Sequence, residues 1–300
     1  MPSTLDTILF DLDGTLIPMD QDVFLHAYFS RIQQRAVQLG LDPAAFMGAL
    51  AKGTKAMLEN DGAATHHQRF WDAFAQDMGV TARQLEDPLT DFYATDFNQI
   101  RSLMDPAPDA PGLMACLRDK GYTLVLATNP LFPLVAIQSR LGWVGLSPQD
   151  FALVTTYENS RFCKPNPAYY QDILRQLGKT PQQCMMVGNN PLEDMAAGQL
   201  GLALFLVTGH LENPKNLDIS AYPQGDFPAL LRLAQSLPAL GDGRELSGLS
   251  PGRCPGPRQG LCPWTPLGAP PPDPARGSAP GPRWGRCPPS QFAKVVARRR

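Results

Sequence analysis

Nothing in these 300 residues approaches the run of about 18 consecutive apolar residues that a membrane-spanning helix needs. The opening Met1–Asp6 lacks the basic and apolar regions of a secretory signal. Cysteine is scarce. Cys116, Cys163, Cys184, Cys254, Cys262 and Cys287 follow neither metal-ligand nor disulfide spacing, and reduced thiols in a cytoplasmic setting fit them best. Residues 1–240 are short of positive charge, with 16 Lys and Arg against 25 acids, which argues against nucleic acid as a standing partner. Residues 241–300 have the opposite shortage: three acids, ten bases and little aliphatic content, but 13 of the 31 prolines and 10 of the 26 glycines. Such a segment cannot bury enough apolar surface to fold, so a disordered tail is expected, its basic end Lys294–Arg300 solvated. The chain has no internal repeat.

What is present begins with Leu5–Leu16, an apolar strand ending in Asp11, Asp13, Gly14 and Thr15. A strand this apolar belongs in a parallel sheet buried on both faces. From Phe24 onward the period becomes helical, with Phe24, Tyr28, Ile32 and Ala36 on one stripe and a second helix over Pro43–Leu58. Thr65 and Gln68 make a capping box for a third helix ending at Gly79, and a fourth is expected from about Thr81 towards Ile100. Strands and helices then alternate: strands at Thr123–Thr128, Phe151–Thr156, Cys184–Val187 and Leu202–Val207, helices at Pro133–Leu141, Pro167–Leu177 and Phe227–Leu237. The fold class is α/β: a Rossmann-like parallel sheet with helices on both faces, built from residues 1–17 and 105–240. An all-helical domain at 18–104 and the tail at 241–300 complete the chain.

Four polar clusters stand at strand ends or helix starts: Asp11/Asp13/Thr15, Thr128/Asn129, Lys164, and Asn189/Asn190/Asp194. In a parallel sheet the carboxyl ends face one way, so all four can meet in one crevice. The inventory suits phosphoryl transfer, with a carboxylate nucleophile, a second carboxylate for protons, a hydroxyl, amides, a lysine and acids for a metal.

Asp11-Leu-Asp-Gly-Thr-Leu16 resembles the first motif of the haloacid dehalogenase superfamily, Ala127-Thr-Asn129 its second, Lys164-Pro165 its third and Val187-Gly-Asn-Asn-Pro-Leu-Glu-Asp194 its fourth. The helical insert between the first two resembles that superfamily's cap. The resemblance covers residues 5–240 and implies a phosphatase acting on a small phosphorylated metabolite. It implies that Asp11 attacks phosphorus, Asp13 handles the proton, and Thr15, Thr128, Asn129 and Lys164 hold the phosphoryl group. Mg2+ would be held by Asp11, the Asp13 carbonyl, Asn189 and Asp194. An acid at position 13 favours phosphate esters, since dehalogenases and phosphonatases of this kind lack it. The fourth motif departs from the pattern, because Asn189 stands where an acid usually follows the glycine. A phosphomutase is the alternative on the same scaffold, as is a catalytically weak binding or regulatory protein. The reading requires the Asp194 carboxyl to lie close to the Asp11–Asp13 pair.

Other polar residues take plainer readings. His66 and His67 fall adjacent in the first turn of a helix rather than on one face, so exposed side chains are expected. Trp71 reads as core, and His210 as loop.

Overall fold

The computed structural model describes residues 5–241, and the expected disorder of the tail concerns residues 242–300, outside the described residues. Its elements are β1 (Thr7–Phe10), α1 (Gln21–Gln38), α2 (Pro43–Leu58), α3 (His66–Met78), α4 (Glu86–Ala94), α5 (Ala110–Asp119), β2 (Thr123–Leu126), α6 (Leu134–Trp143), β3 (Leu153–Val154), α7 (Pro167–Leu177), β4 (Cys184–Gly188), β5 (Ala203–Val207), β6 (Gln224–Gly225) and α8 (Phe227–Ser236). The sheet runs β3-β2-β1-β4-β5-β6 with every pairing parallel. From β1 the chain builds outward to β3, then returns to place β4 on the other side of β1. The order therefore reverses between β1 and β4, where open α/β sheets bind ligands.

Side-chain alternation divides the core. Ile8, Phe10, Leu124, Leu126, Met185 and Val187 face a cluster that includes Leu113, Ile137 and Leu230 of α5, α6 and α8. Leu9, Val125 and Met186 face the opposite side, with Tyr169, Tyr170, Ile173 and Leu174 of α7. Strand residues of alternate parity feed two layers of helices, as a doubly covered parallel sheet demands. Among the described residues, no helix is long and apolar enough to cross a membrane.

Between Gln21 and Leu103 all regular structure is helical. The capping box forms as expected: the Thr65 side chain accepts from Gln68 N, and Gln68 Oε1 accepts from Thr65 N. The expected fourth helix is instead three pieces: a 3-10 segment over Gly79–Leu85, α4, and a second 3-10 segment over Asp96–Leu103. Pro88 has no N–H for the carbonyl one turn back, so it starts a helix rather than continuing one. At the other end, Thr95 Oγ1 donates to the Asp91 carbonyl at 2.7 Å, a local bond that competes with helix propagation. β6 was not foreseen, since a two-residue Gln-Gly strand carries no apolar alternation.

The histidines also depart from expectation. His66 is fully buried, with Nδ1 3.3 Å from Asn60 Nδ2 and Nε2 3.4 Å from Cys163 Sγ. Its neighbour is half-buried, with Nε2 2.8 Å from Glu86 Oε1. The cause lies in the backbone: His66 N donates to Ser160 O and His67 N to Tyr157 O, docking the start of α3 onto the loop after β3.

Burial holds the His66 imidazole pKa down to about 4, from an ordinary value of 6.5. Below pH 6.5 the unfolded chain takes up a proton that the folded chain refuses, so stability falls as pH drops towards 4. The displacement corresponds to roughly 3 kcal/mol once the whole window is crossed. Urea unfolding at about pH 7 and about pH 4.5 should show the wild-type protein losing about 2–3 kcal/mol more than His66→Gln. Parallel losses would mean that His66 is not buried in its neutral form.

Candidate active site

The site begins where β1 stops. Asp11 N still donates to Val187 O at 2.9 Å, after which the chain turns tightly: Gly14 N donates to Ile17 O at 2.8 Å, and Leu16 N and Ile17 N both donate to Leu12 O at 2.9 Å. Gly14 has φ +79°, and a Cβ there would lie 2.1 Å from Asn189 Nδ2. Only glycine meets both the backbone and the close approach. The turn aims Asp11 and Asp13 into a cavity of about 60 Å³ also lined by Gln21, Thr128, Asn129, Asn189, Asn190, Glu193, Asp194 and Glu212.

Lys164, 2 % exposed, joins the far-separated motifs. Its Nζ donates to Asp11 Oδ1 and to Asp194 Oδ1, each at 2.7 Å. The two carboxylate oxygens are thus no farther apart than those two bonds laid end to end, which satisfies the proximity required of Asp194. Burial works against the Lys164 charge, but the two carboxylates overcome it and hold its pKa well above the usual lysine value. Asp194 is fixed from behind, where its Oδ2 accepts from Asn190 N at 2.9 Å. It packs so closely on β4 that a Cβ at Gly188 would lie 2.2 Å from its carboxyl.

Thr128, Asn129 and Asn189 line the same cavity, and Thr15 contacts two of its lining residues. Thr15 Oγ1 lies 3.3 Å from both Asp11 Oδ2 and Asn189 Oδ1. Asn189 Nδ2 donates to His210 O at 2.7 Å, which turns its amide oxygen towards Thr15. Thr128, at the end of β2, is held by its carbonyl, which accepts from Tyr169 Oη and Thr155 Oγ1 at 2.8 Å each. Asn129 Nδ2 donates to Glu193 Oε2 at 3.0 Å, while its Oδ1 is buried without a partner.

Three charged residues of this region were not singled out from sequence. Glu193 lay inside the fourth motif beside Asp194. Glu212 follows β5, and its N–H donates to Asn189 O at 3.0 Å. The signal for it was available: it sits in a loop at the carboxyl end of a strand, where ligand-binding groups collect in this architecture. Burial pushes the carboxyl pKa of Glu193 up to about 8 and that of Glu212 up to about 7, with neighbouring carboxylates adding to the effect. The third is Arg140, fully buried on α6, whose Nη1 donates to Asp13 Oδ2. It shares the apolar stripe of Ala136, Ile137 and Leu141, and a charge on such a stripe is the legible clue. Burial raises the Asp13 pKa, and the Arg140 guanidinium opposes that rise.

The comparisons with known proteins agree with one another. The family model for haloacid dehalogenase-like hydrolases matches residues 5–201. Pyrophosphatase PpaX of Bacillus pumilus is 24% identical over 204 residues, 66% of this chain and 80% of that protein. Phosphoglycolate phosphatase of Aquifex aeolicus is 26% identical over 195 residues, 64% of this chain and 79% of that protein. Among solved structures, a HAD phosphatase from Thermococcus onnurineus aligns over 79% of this chain and 100% of its own, at 18% identity and a TM-score of 0.49.

Replacing Lys164 with Met would leave two buried carboxylates facing each other without a countercharge. Urea unfolding in metal-free buffer should show a loss of about 3–5 kcal/mol, partly restored when Asp194→Asn is added. A Lys164→Met protein as stable as wild type would show that the ion triad contributes nothing to the fold.

Proposed function

Because the chain belongs to the haloacid dehalogenase-like hydrolases, we propose that it is a Mg2+-dependent phosphatase acting on a small phosphorylated metabolite through an aspartyl-phosphate on Asp11. The observation that carries this reading is the Lys164 ammonium held 2.7 Å from both Asp11 and Asp194, two carboxylates that line one cavity with Asp13. The phosphatase names of the relatives support P–O cleavage as the chemistry.

In this reading residues 1–17 and 105–240 form the catalytic core and residues 18–104 the cap, which reaches the cavity through Gln21. Cys116, Cys163 and Cys184 form no disulfide with one another, which supports a cytoplasmic setting.

Among the described residues, no three His, Cys, Asp or Glu side chains gather into a metal site of their own. The donor set is nevertheless all oxygen: the carboxylates of Asp11 and Asp194, the Asn189 amide and the Asp13 carbonyl. It lies in a cavity where five carboxylates outnumber the lysine. That chemistry fits Mg2+, which prefers oxygen donors, keeps several of its waters and needs only one or two carboxylates beside a substrate phosphate. When bound, the ion would supply positive charge to the phosphoryl oxygens.

The side chains of this protein account for the rest. Asp11 Oδ1 is tied to Lys164, leaving Oδ2, with only the long Thr15 contact, to attack phosphorus. As the P–O ester bond breaks, Asp13 gives its proton to the departing oxygen. The resulting Asp13 carboxylate then takes a proton from water. That water attacks the phosphoryl group, releases phosphate and returns Asp11 to its carboxylate form. Lys164 and the Thr128 hydroxyl stabilise the charge developing on the phosphoryl oxygens.

Phosphate release from a panel of phosphorylated metabolites should require Mg2+ and stop on chelation. Asp11→Asn should lower kcat by about 10³-fold or more while the fold persists. Undiminished hydrolysis by that variant would refute the covalent assignment, and transfer of the phosphoryl group to an added sugar in place of water would favour the mutase.

A further inference from the structure

Arg140 is the largest fully buried side chain of the described residues, and neither motif nor family assigns it a task. Its guanidinium lies 4.4 Å from the centre of the Phe132 ring and 5.8 Å from that of Phe24. Its Nη1 donates to Asp13 Oδ2, whereas Nε and Nη2 are buried without hydrogen-bond partners. Burying a guanidinium this completely with two donor groups unmet is costly, and its one ion pair is the compensation the structure shows. The partner it does have is equally uneven: Asp13 Oδ2 is taken, and Asp13 Oδ1 is buried with no partner at all. One carboxylate oxygen is anchored and the other is left for a group that arrives.

We propose that Arg140 is the positioning residue for proton transfer by Asp13. It pins Oδ2 so that Oδ1 is the atom that gives the proton to the departing ester oxygen. It also offsets the negative charge that appears on Asp13 once the proton has gone. The step balances within the proposed reaction: the Asp13 O–H bond breaks, the P–O bonding pair stays on the leaving oxygen, and that oxygen takes the proton. The hydrolytic water later restores the proton to Asp13. The two aromatic rings exclude water from the guanidinium, which keeps the pairing with Asp13 strong. The inference rests on Asp13 acting as the acid and base, and it concerns how that residue is held rather than whether the protein cleaves phosphate esters.

A leaving group that needs no proton separates this role from a purely structural one. p-Nitrophenyl phosphate departs as a stable phenolate, whereas β-glycerophosphate must be protonated as it leaves. Because breakdown of the aspartyl-phosphate is common to both esters, the first step is read from kcat/KM: Arg140→Met should lower it by about 100-fold on β-glycerophosphate and by less than about 5-fold on p-nitrophenyl phosphate. Arg140→Lys, which keeps the charge, should recover part of the β-glycerophosphate rate. Asp13→Asn combined with Arg140→Met should be no slower than Asp13→Asn alone, since both act on one step. Equal losses on the two esters, or losses that multiply in the double variant, would reduce Arg140 to packing and overturn the proposal. Wild-type protein inactive on both esters would instead remove the phosphatase reading, and Arg140's part in it.

Discussion

The position of Lys164 is the constraint on which the rest of the site depends. A primary ammonium that is 2 % exposed persists only if its charge is matched, and two carboxylates far apart in the sequence match it. Asp11 comes from the end of β1 and Asp194 from the turn after β4, and these strands are hydrogen-bonded neighbours because the sheet order reverses between them. The ion triad is thus a consequence of topology. It in turn fixes the separation of the two loops, since removing Lys164 would leave two largely buried carboxylates without the countercharge that joins them.

The helical insert is joined to this arrangement by aromatic packing rather than by charge. Phe24, Tyr28, Phe92, Tyr93 and Phe97 surround one another, with Tyr28 Oη 2.9 Å from Tyr93 Oη. The cluster continues into the sheet-bearing part through Phe132, whose ring centre lies 5.3 Å from that of Tyr28, and through Trp143, 5.3 Å from Phe97. Phe132 is also the ring beneath Arg140 and a lining residue of the cavity. An unbroken chain of contacts thus runs from the insert to Asp13 through Phe132 and Arg140. This gives the apolar stripe of α1 a consequence beyond burial.

Much of this was legible because the responsible signals are local. The buried strands announce themselves as apolar runs, the Thr65–Gln68 box marks the start of α3, and α7 begins at Pro167 and ends before Gly178, where a proline and a glycine would put its limits. The convergence of Asp11, Thr15, Thr128, Lys164 and Asn189 follows from strand-end placement in a parallel sheet. What stayed hidden depends on partners distant in sequence. Arg140 is a lone charge on an apolar helix face until Asp13 is seen beneath it. Glu212 is one more loop acid until its N–H is found on Asn189. The burial of His66 comes from Ser160 and Cys163, about a hundred residues away. The limits of α4 have local causes, Pro88 in its first turn and Thr95 just past its last residue, which the helical period of the insert masks.

Asn189, where the family pattern usually has an acid, is explained by its neighbours. Its Nδ2 donates to the His210 carbonyl at 2.7 Å, and its own carbonyl accepts from Glu212 N. The side chain also fills the space that a Cβ at Gly14 would occupy. One residue thus fastens the turn after β1, the end of β4 and the loop after β5. An aspartate there would lose the donor and set a carboxylate against the His210 carbonyl, an unmet pair in a confined place. It would also add a further charge to a cavity already lined by Asp11, Asp13, Glu193, Asp194 and Glu212, of which Asp13, Glu193, Asp194 and Glu212 are driven towards their neutral forms by burial. An amide at this position keeps an oxygen facing the site, supplies the hydrogen bond to the His210 carbonyl, and spares the cavity another negative charge. With a neutral side chain at position 189, the loop after β5 still brings a carboxylate to the cavity through Glu212, so the site keeps its acidic character.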